Sequence, residues 1–434
     1  MSNSELAILF FLQLAVILGA CRLVGFLAKW IKQPQVVGEM IAGVLLGPSL
    51  FGFLLPTVQH QIFPTGVPMS ILYAASQVGL VLYMFLIGVE FDINLIRRRV
   101  HSAVSVSLAG IIAPLCLGAL LALLLFQRPG LFGKQVSVEE TMLFLGAAIA
   151  ITAFPMLARI IFERGLTGTS LGTLALAAGS TDDAVSWCIL AVVLAVFKQN
   201  ALIALFAVAG GLLYAIVTLT VGRSLLARTL GVLTERRGEI SGAMLAIVLL
   251  LLMFCAWLTD TIGIYAIFGG FILGVAMPRG LFAKRLVHML EPLVTNFLLP
   301  LFFVYSGLNT SVGLLNSWLL WGIALLIFTA AVSGKGIACW LAALLNKEPH
   351  REAMAIGSLM NARGLMELIL LNIGLQQGII TPTLFTMLVL MAIATTLMAS
   401  PLFDLVYGRY RAREALTEQN PAANLHVETD VEVS

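Results

Sequence analysis

Gly179-Ser180-Thr181-Asp182-Asp183-Ala184-Val185-Ser186-Trp187 stands in the middle of an apolar run, 171–197, that is long enough to cross a bilayer. An ionisable side chain at the centre of a membrane helix costs about 3 kcal/mol on insertion scales. Two adjacent carboxylates cost more, because like charges side by side repel. A chain keeps such a pair in lipid when protons, a metal cation or a buried base neutralise it, and a transporter would use all three. Two further apolar runs carry polar interruptions. Thr152-Ala153-Phe154-Pro155 places a proline within 140–163, and Ser358-Leu359-Met360-Asn361-Ala362-Arg363-Gly364 breaks 351–377. The proline removes a backbone hydrogen bond and disfavours helix at Phe154. Broken helices at membrane depth are tolerated where they line a cavity, and their free ends then coordinate ions.

The surrounding composition sets the class. Of 434 residues, 60% are hydrophobic and 11% charged, and the mean hydropathy is +1.02. Soluble domains carry about 25% charged residues, so the chain reads as an all-α polytopic membrane protein. Thirteen apolar segments are predicted to span, at 5–29, 35–52, 70–90, 101–127, 140–163, 171–197, 200–228, 239–259, 262–278, 287–308, 315–345, 351–377 and 382–408. The first contains Leu18-Gly19-Ala20-Cys21, which looks like a lipoprotein cleavage box. It also has Glu5 and no preceding Lys or Arg, so a retained helix is expected. Cys21, Cys116, Cys188, Cys255 and Cys339 are widely spaced within apolar segments and read as small buried hydrophobes. No histidine has metal-ligand spacing.

Basic residues predict the topology. Alternate loops hold Lys29 and Lys32; Arg97, Arg98 and Arg99; Arg159 and Arg164; Arg223, Arg228, Arg236 and Arg237; Arg279, Lys284 and Arg285; Lys347 and Arg351; and Arg409, Arg411 and Arg413. The opposite loops hold only Arg128, Lys134 and Lys198. The positive-inside rule then places the N-terminus outside and the C-terminus in the cytoplasm. Lys335 and Arg363 lie deep within apolar segments.

An internal repeat is visible as well. Ile41-Ala42-Gly43-Val44-Leu45-Leu46-Gly47 echoes Phe268-Gly269-Gly270-Phe271-Ile272-Leu273-Gly274, and Met84-Phe85-Leu86-Ile87-Gly88 echoes Phe303-Val304-Tyr305-Ser306-Gly307, at offsets of 227 and 219. Each partner lies seven segments later. An odd number inverts the second copy across the membrane, an architecture found in many secondary transporters. The repeat makes segments five and twelve equivalent, so the two broken helices are expected to cross.

The physical reading of these residues is an ion site. Asp183 is expected to coordinate a monovalent cation, helped by Thr152, by backbone carbonyls at the first break, and by Ser180 or Thr181. Asp182 is expected to pair with Lys335, whose ammonium favours the charged carboxylate. Cation and proton would compete for the same oxygens. Arg363 and Glu367, four apart on a helix, pair either to hold the crossing together or to take part in transport. Glu39, Glu90 and Asp92 lie near cytoplasmic segment ends, as an ion entrance funnel or as solvated helix ends.

Specific wording resembles a known family. Pro34-Gln35-Val36-Val37-Gly38-Glu39-Met40 with Leu46-Gly47-Pro48-Ser49, Leu86-Ile87-Gly88-Val89-Glu90-Phe91-Asp92, Ile151-Thr152-Ala153-Phe154-Pro155, Pro300-Leu301-Phe302-Phe303-Val304-Tyr305-Ser306-Gly307-Leu308 and Asn361-Ala362-Arg363-Gly364-Leu365-Met366-Glu367-Leu368 are similar to the monovalent cation:proton antiporter-2 family. The resemblance implies a homodimer that exchanges Na⁺ or K⁺ for H⁺ by elevator-type alternating access. It implies a core of about 101–197 and 315–408, a dimerisation domain of about 5–90 and 239–308, and a linker helix at about 200–228. Many family members carry Asn-Asp where this chain has Asp182-Asp183. Asp-Asp resembles the electrogenic sodium/proton antiporters, which also place a lysine where Lys335 stands.

Two other transport classes would leave different traces. A cation channel of the same topology would need no alternating access, and a sodium-coupled organic solute symporter would show an organic-sized polar site. An enzyme is not expected, since no nucleotide-binding glycine loop, metal motif or nucleophile–His–acid set is present. Neither a cofactor nor a nucleic-acid partner is expected. Residues 409–434, with Glu414, Glu418, Glu428, Asp430 and Glu432, read as a disordered cytoplasmic tail. The expected location is a bacterial inner membrane, with the thylakoid as alternative.

Overall fold

The computed structural model describes residues 2–30, 33, 35–91, 100–164, 166, 169–197, 201–263 and 265–408. Lys32, Pro34, Asp92, Arg97, Arg98, Arg99, Lys198 and the segment 409–434 lie outside the described residues. The described chain is helical, with one isolated antiparallel bridge between Phe132 and Ile380. Its helices of ten residues or more are α1 Asn3–Trp30, α2 Gln35–Leu46, α3 Val67–Glu90, α4 Val100–Leu125, α5 Val138–Ala150, α6 Phe154–Glu163, α7 Ser170–Phe197, α8 Ala201–Val217, α9 Gly242–Ile262, α10 Ala266–Ala276, α11 Leu281–Leu293, α12 Leu299–Leu308, α13 Trp318–Leu345, α14 His350–Leu359, α15 Leu365–Gln376 and α16 Pro382–Phe403. A helix occupies each of the thirteen predicted ranges. Nine stretches among the described residues are long and apolar enough to cross a bilayer, and α10 and α15 are shorter apolar helices.

Local chemistry starts several of these helices. Ser137 and Glu140 form a reciprocal capping box ahead of α5, so two backbone donors that the first turn leaves open are satisfied. Ser241, Ser317 and Thr381 accept from the third residue beyond them at the starts of α9, α13 and α16. In α16 a proline follows the cap, where its missing N–H is harmless.

Both predicted interruptions are present. Ile151–Ala153 is non-helical between α5 and α6, and 360–364 is non-helical between α14 and α15. The two unwound stretches touch, Ala153 N–H donating to the Ala362 carbonyl at 3.2 Å. Around this contact α4, α5, α7, α13, α14 and α16 pack on one another, while α1, α2, α3, α9, α10 and α12 form a second set.

The second set shows the repeat in three dimensions. A Cβ placed on Gly88 would stand 3.0 Å from the Gly274 Cα, and one on Gly47 would stand 2.7 Å from the Gly307 carbonyl oxygen. The repeat offsets convert Gly47 into Gly274 and Gly88 into Gly307, so each close approach is the counterpart of the other. Small residues let backbones meet where lipid supplies no hydrophobic drive between helices.

Two sequence expectations are corrected. The segment predicted to end at 228 stays helical to Arg237, through wider π-type turns at Thr218–Gly222 and Ala227–Gly231. Its polar Thr and Arg residues end the hydropathy signal before the backbone pattern ends. Cys116 and Cys188 are exposed rather than buried. In lipid the outer face of a helix is apolar too, so an apolar context does not imply burial.

Candidate functional site

Asp182 and Asp183 lie at the middle of α7, buried to 0% and 1% exposure. Lys335 reaches Asp182 from α13. Its Nζ stands 2.8 Å from Asp182 Oδ2, both side chains fully buried, and it also donates to the Ala150 carbonyl at the end of α5. Asp182 accepts two more bonds, from Ser107 Oγ in α4 at 2.8 Å and from Thr152 Oγ1 in the first break. One carboxylate therefore gathers an ammonium and two hydroxyls from three different elements. A buried ion pair of this kind needs further hydrogen bonds to offset desolvation, and the two hydroxyls supply them.

The sequence reading placed Thr152 beside Asp183, and the structure gives its hydroxyl to Asp182. Ser180 and Thr181 both donate to the Ala177 carbonyl one turn back, so their hydroxyls serve their own helix. Ser107 was not singled out from the sequence.

The second break supplies the other buried cation. Arg363 donates to the carbonyls of Ala148 at 3.1 Å, Ile149 at 2.5 Å and Ile151 at 3.4 Å, and its guanidinium lies 3.5 Å from Glu367 Oε2. The break at Ile151 leaves the last carbonyls of α5 without intrahelical donors. Arg363 takes Ala148 and Ile149, and Lys335 takes Ala150. Two cations thus sit at the negative end of the α5 dipole, where positive charge is favoured. Glu367 lies in the first turn of α15, the favourable end for an acid. The backbone of Arg363 is held from α16, its N–H donating to Thr396 Oγ1 at 3.1 Å and its carbonyl accepting from the same hydroxyl at 2.9 Å.

The candidate entrance residues differ in setting, and Asp92 lies outside the described residues. Glu39 is buried to 2% exposure in α2 and accepts from Gln35 Nε2 at 2.9 Å. It sits inside the packing and not on an open wall. Glu90 is exposed at the last position of α3. No group of three or more His, Cys, Asp or Glu that would hold a metal occurs among the described residues.

At and beside the crossing, then, lie three buried carboxylates, Asp182, Asp183 and Glu367, and two buried cations, Lys335 and Arg363. With all five ionised the set is short by one positive charge, which is one monovalent cation or one proton.

A sequence profile described as sodium/hydrogen exchanger, transmembrane, matches residues 14–405. The Na(+)/H(+) antiporter NhaS4 of Synechocystis sp. is 40% identical over 410 residues, 93% of this chain and 98% of its own. Cation/H(+) antiporter 17 of Arabidopsis thaliana and K(+)/H(+) antiporter 1 of Saccharomyces cerevisiae are 36% and 33% identical over 92% and 94% of this chain. The alignments cover only 48% and 47% of those two longer proteins. Among solved structures, the sodium proton antiporter MjNhaP1 of Methanocaldococcus jannaschii at pH 8 has the same fold, with a TM-score of 0.65 at 16% identity over 93% of this chain and 97% of that chain.

Proposed function

The chain belongs to the sodium/hydrogen exchanger family, and on that premise we propose that Asp183 is the carboxylate at which Na⁺ or K⁺ and H⁺ replace one another. The protein is a multi-pass membrane antiporter of cations and protons, not an enzyme. The observation that carries the proposal is the charge deficit at the crossing. Asp182 is engaged by Lys335, Ser107 and Thr152, Glu367 lies beside Arg363, and Asp183 is the third buried carboxylate, next to Asp182 in the middle of α7. A cation and a proton each balance that charge, so the two compete at Asp183, whatever further proton moves with them. Their competition is the coupling.

The remaining parts of the reading follow from this arrangement. Thirteen crossings with the N-terminus outside agree with the basic loops. The two packed sets of helices would be the core and the dimerisation domain of a homodimer, the core carrying both breaks across the membrane as one body. NhaS4, which aligns over nearly all of its own length, is named for sodium, so Na⁺ is the first ion to test.

The test is proton movement in reconstituted vesicles on adding Na⁺, K⁺, Li⁺ or Rb⁺ separately. The Asp183→Asn protein is expected to fold normally and move no protons. Substantial cation-driven proton movement in that variant would refute the assignment.

A further inference from the structure

Thr396 and Ser400 lie in α16, and Asp404 opens the π-type turn Asp404–Gly408 that continues it. Residues four apart lie one above the other on a helix face, so the three polar side chains form one stripe, about 12 Å long. Thr396 holds the second break, its hydroxyl bonded to both the N–H and the carbonyl of Arg363. The other two hold the far end of the first broken helix. Arg164, the residue after α6, donates from Nη1 to the two Asp404 carboxylate oxygens at 2.6 and 2.5 Å, and from Nη2 to Ser400 Oγ. One face of one helix thus grips both broken helices.

The place of α6 says what the grip on Arg164 does. α6 packs on α7, where Leu157 is seated on Gly179. A Cβ on that glycine would stand 2.5 Å from Leu157 Cδ2 and 3.5 Å from Phe154 Cδ2. Gly179 is one helical turn before Asp182 and Asp183. The other end of α6 is the first break, where the Thr152 hydroxyl bonds Asp182. A short helix, about 15 Å long, is therefore fixed by the break at one end and by Arg164 at the other. Stability alone does not account for the ion pair. The Arg164 and Asp404 side chains keep 21% and 41% exposure, and ion pairs open to water contribute little net stability. The geometry is nonetheless specific, since the planar guanidinium spans a carboxylate and the buried Ser400 hydroxyl.

We infer that Arg164 is a positioning residue for cation binding: held by Ser400 and Asp404, it seats α6 on Gly179 and so sets the Asp182–Asp183 turn. The inference rests on the proposed ion site at Asp183. Arg164 is twelve residues from Thr152 and acts through α6. Without its grip α6 tilts about the break, Leu157 lifts from Gly179, and fewer molecules present the binding arrangement. Apparent affinity falls in proportion to that fraction. A molecule that has bound its ion goes on at the ordinary rate.

The test compares the parent with Arg164→Ala, Asp404→Ala and the double variant, using whichever of Na⁺, K⁺, Li⁺ or Rb⁺ moves most protons in the parent. Apparent KM and maximal rate are read from proton movement in reconstituted vesicles. The cation concentration that half-maximally raises the unfolding temperature in detergent gives affinity without transport. Each single variant is expected to raise both the KM and that midpoint about fivefold, the shift that loss of one ordinary hydrogen bond gives a two-state equilibrium. The maximal rate and the unfolding temperature without cation should stay at the parent's values. The double variant should match either single one, because the two residues share one interaction. Asp404→Asn, which removes the charge and keeps the shape, replaces an alanine variant that folds poorly. An unchanged KM in the Arg164 variant overturns the inference, and so does a double variant whose shift is the product of the single shifts. A lower unfolding temperature and maximal rate at unchanged KM would make the pair a structural tie and overturn it as well. Failure of the Asp183 reading shows separately, as cation-driven proton movement that survives Asp183→Asn whatever the Arg164 variants do.

Discussion

Asp182 is the residue on which the site turns, because it accepts from Lys335, Ser107 and Thr152 while fully buried. Removing one member of a buried pair leaves the other uncompensated, at a cost of about 3 to 5 kcal/mol. Lys335→Met is therefore expected to lower the thermal unfolding temperature in detergent markedly, and adding Asp182→Asn should restore most of the loss. A double variant no more stable than Lys335→Met alone would mean that the pair contributes little. Glu39→Gln is expected to leave the apparent KM for the cation unchanged, since Glu39 is packed against Gln35 inside α2. A raised KM with the maximal rate spared would return Glu39 to the entrance. The charged members of the site were legible in the sequence because a charge inside an apolar run has few innocent explanations. Ser107 was not, since serine is ordinary in membrane helices and its partner lies 75 positions away. That the Thr152 hydroxyl meets Asp182 was not legible for a similar reason. Adjacent residues on a helix point about 100° apart, and only packing decides which of the two faces the break.

At the scale of elements, a broken helix is a problem of unpaired carbonyls, and this chain solves it with side chains from far away in sequence. The break positions could be read from Pro155 and from the polar stretch around Asn361. That Arg363 and Lys335 would divide the end of α5 between them could not, because capping across 185 or 215 positions leaves no local spacing. The glycine contacts were legible as a repeat but not as contacts. They give a paired prediction. Gly88→Ala would put a Cβ against the Phe271 carbonyl oxygen and the Gly274 backbone, and is expected to destabilise by about 1 to 3 kcal/mol. Gly322→Ala, in α13 with nothing within 4 Å of the new Cβ, should be neutral or stabilise by up to about 1 kcal/mol. Unfolding temperatures of the two variants decide it. Equal losses would show that helix content matters there and close approach does not.

For the whole molecule the question is how much charge crosses in one cycle. If Asp183 releases one proton as the cation binds, and Lys335, freed from Asp182, releases another, two protons move per cation and one net charge crosses. The membrane potential then contributes about 2.3 kcal/mol per 100 mV to the exchange. Transport current on a solid-supported membrane is the expected outcome for the parent. Asp182→Asn, which deprives Lys335 of its acid, should exchange without current if it exchanges at all. A parent that exchanges ions with no current and no response to an imposed potential would rule out this stoichiometry. The same lysine has a consequence for idle cycles. Lys335 holds the Asp182 carboxylate and the Ala150 carbonyl with a compact ammonium on a four-carbon stem. That group is a tethered understudy for the cargo, made of the same charge and seated on the same kind of oxygens. While the understudy stays aboard, the Asp182 seat is not empty, so on the proposed reading slippage through that carboxylate, a round trip that drains the gradient for nothing, would first require the understudy to be unseated.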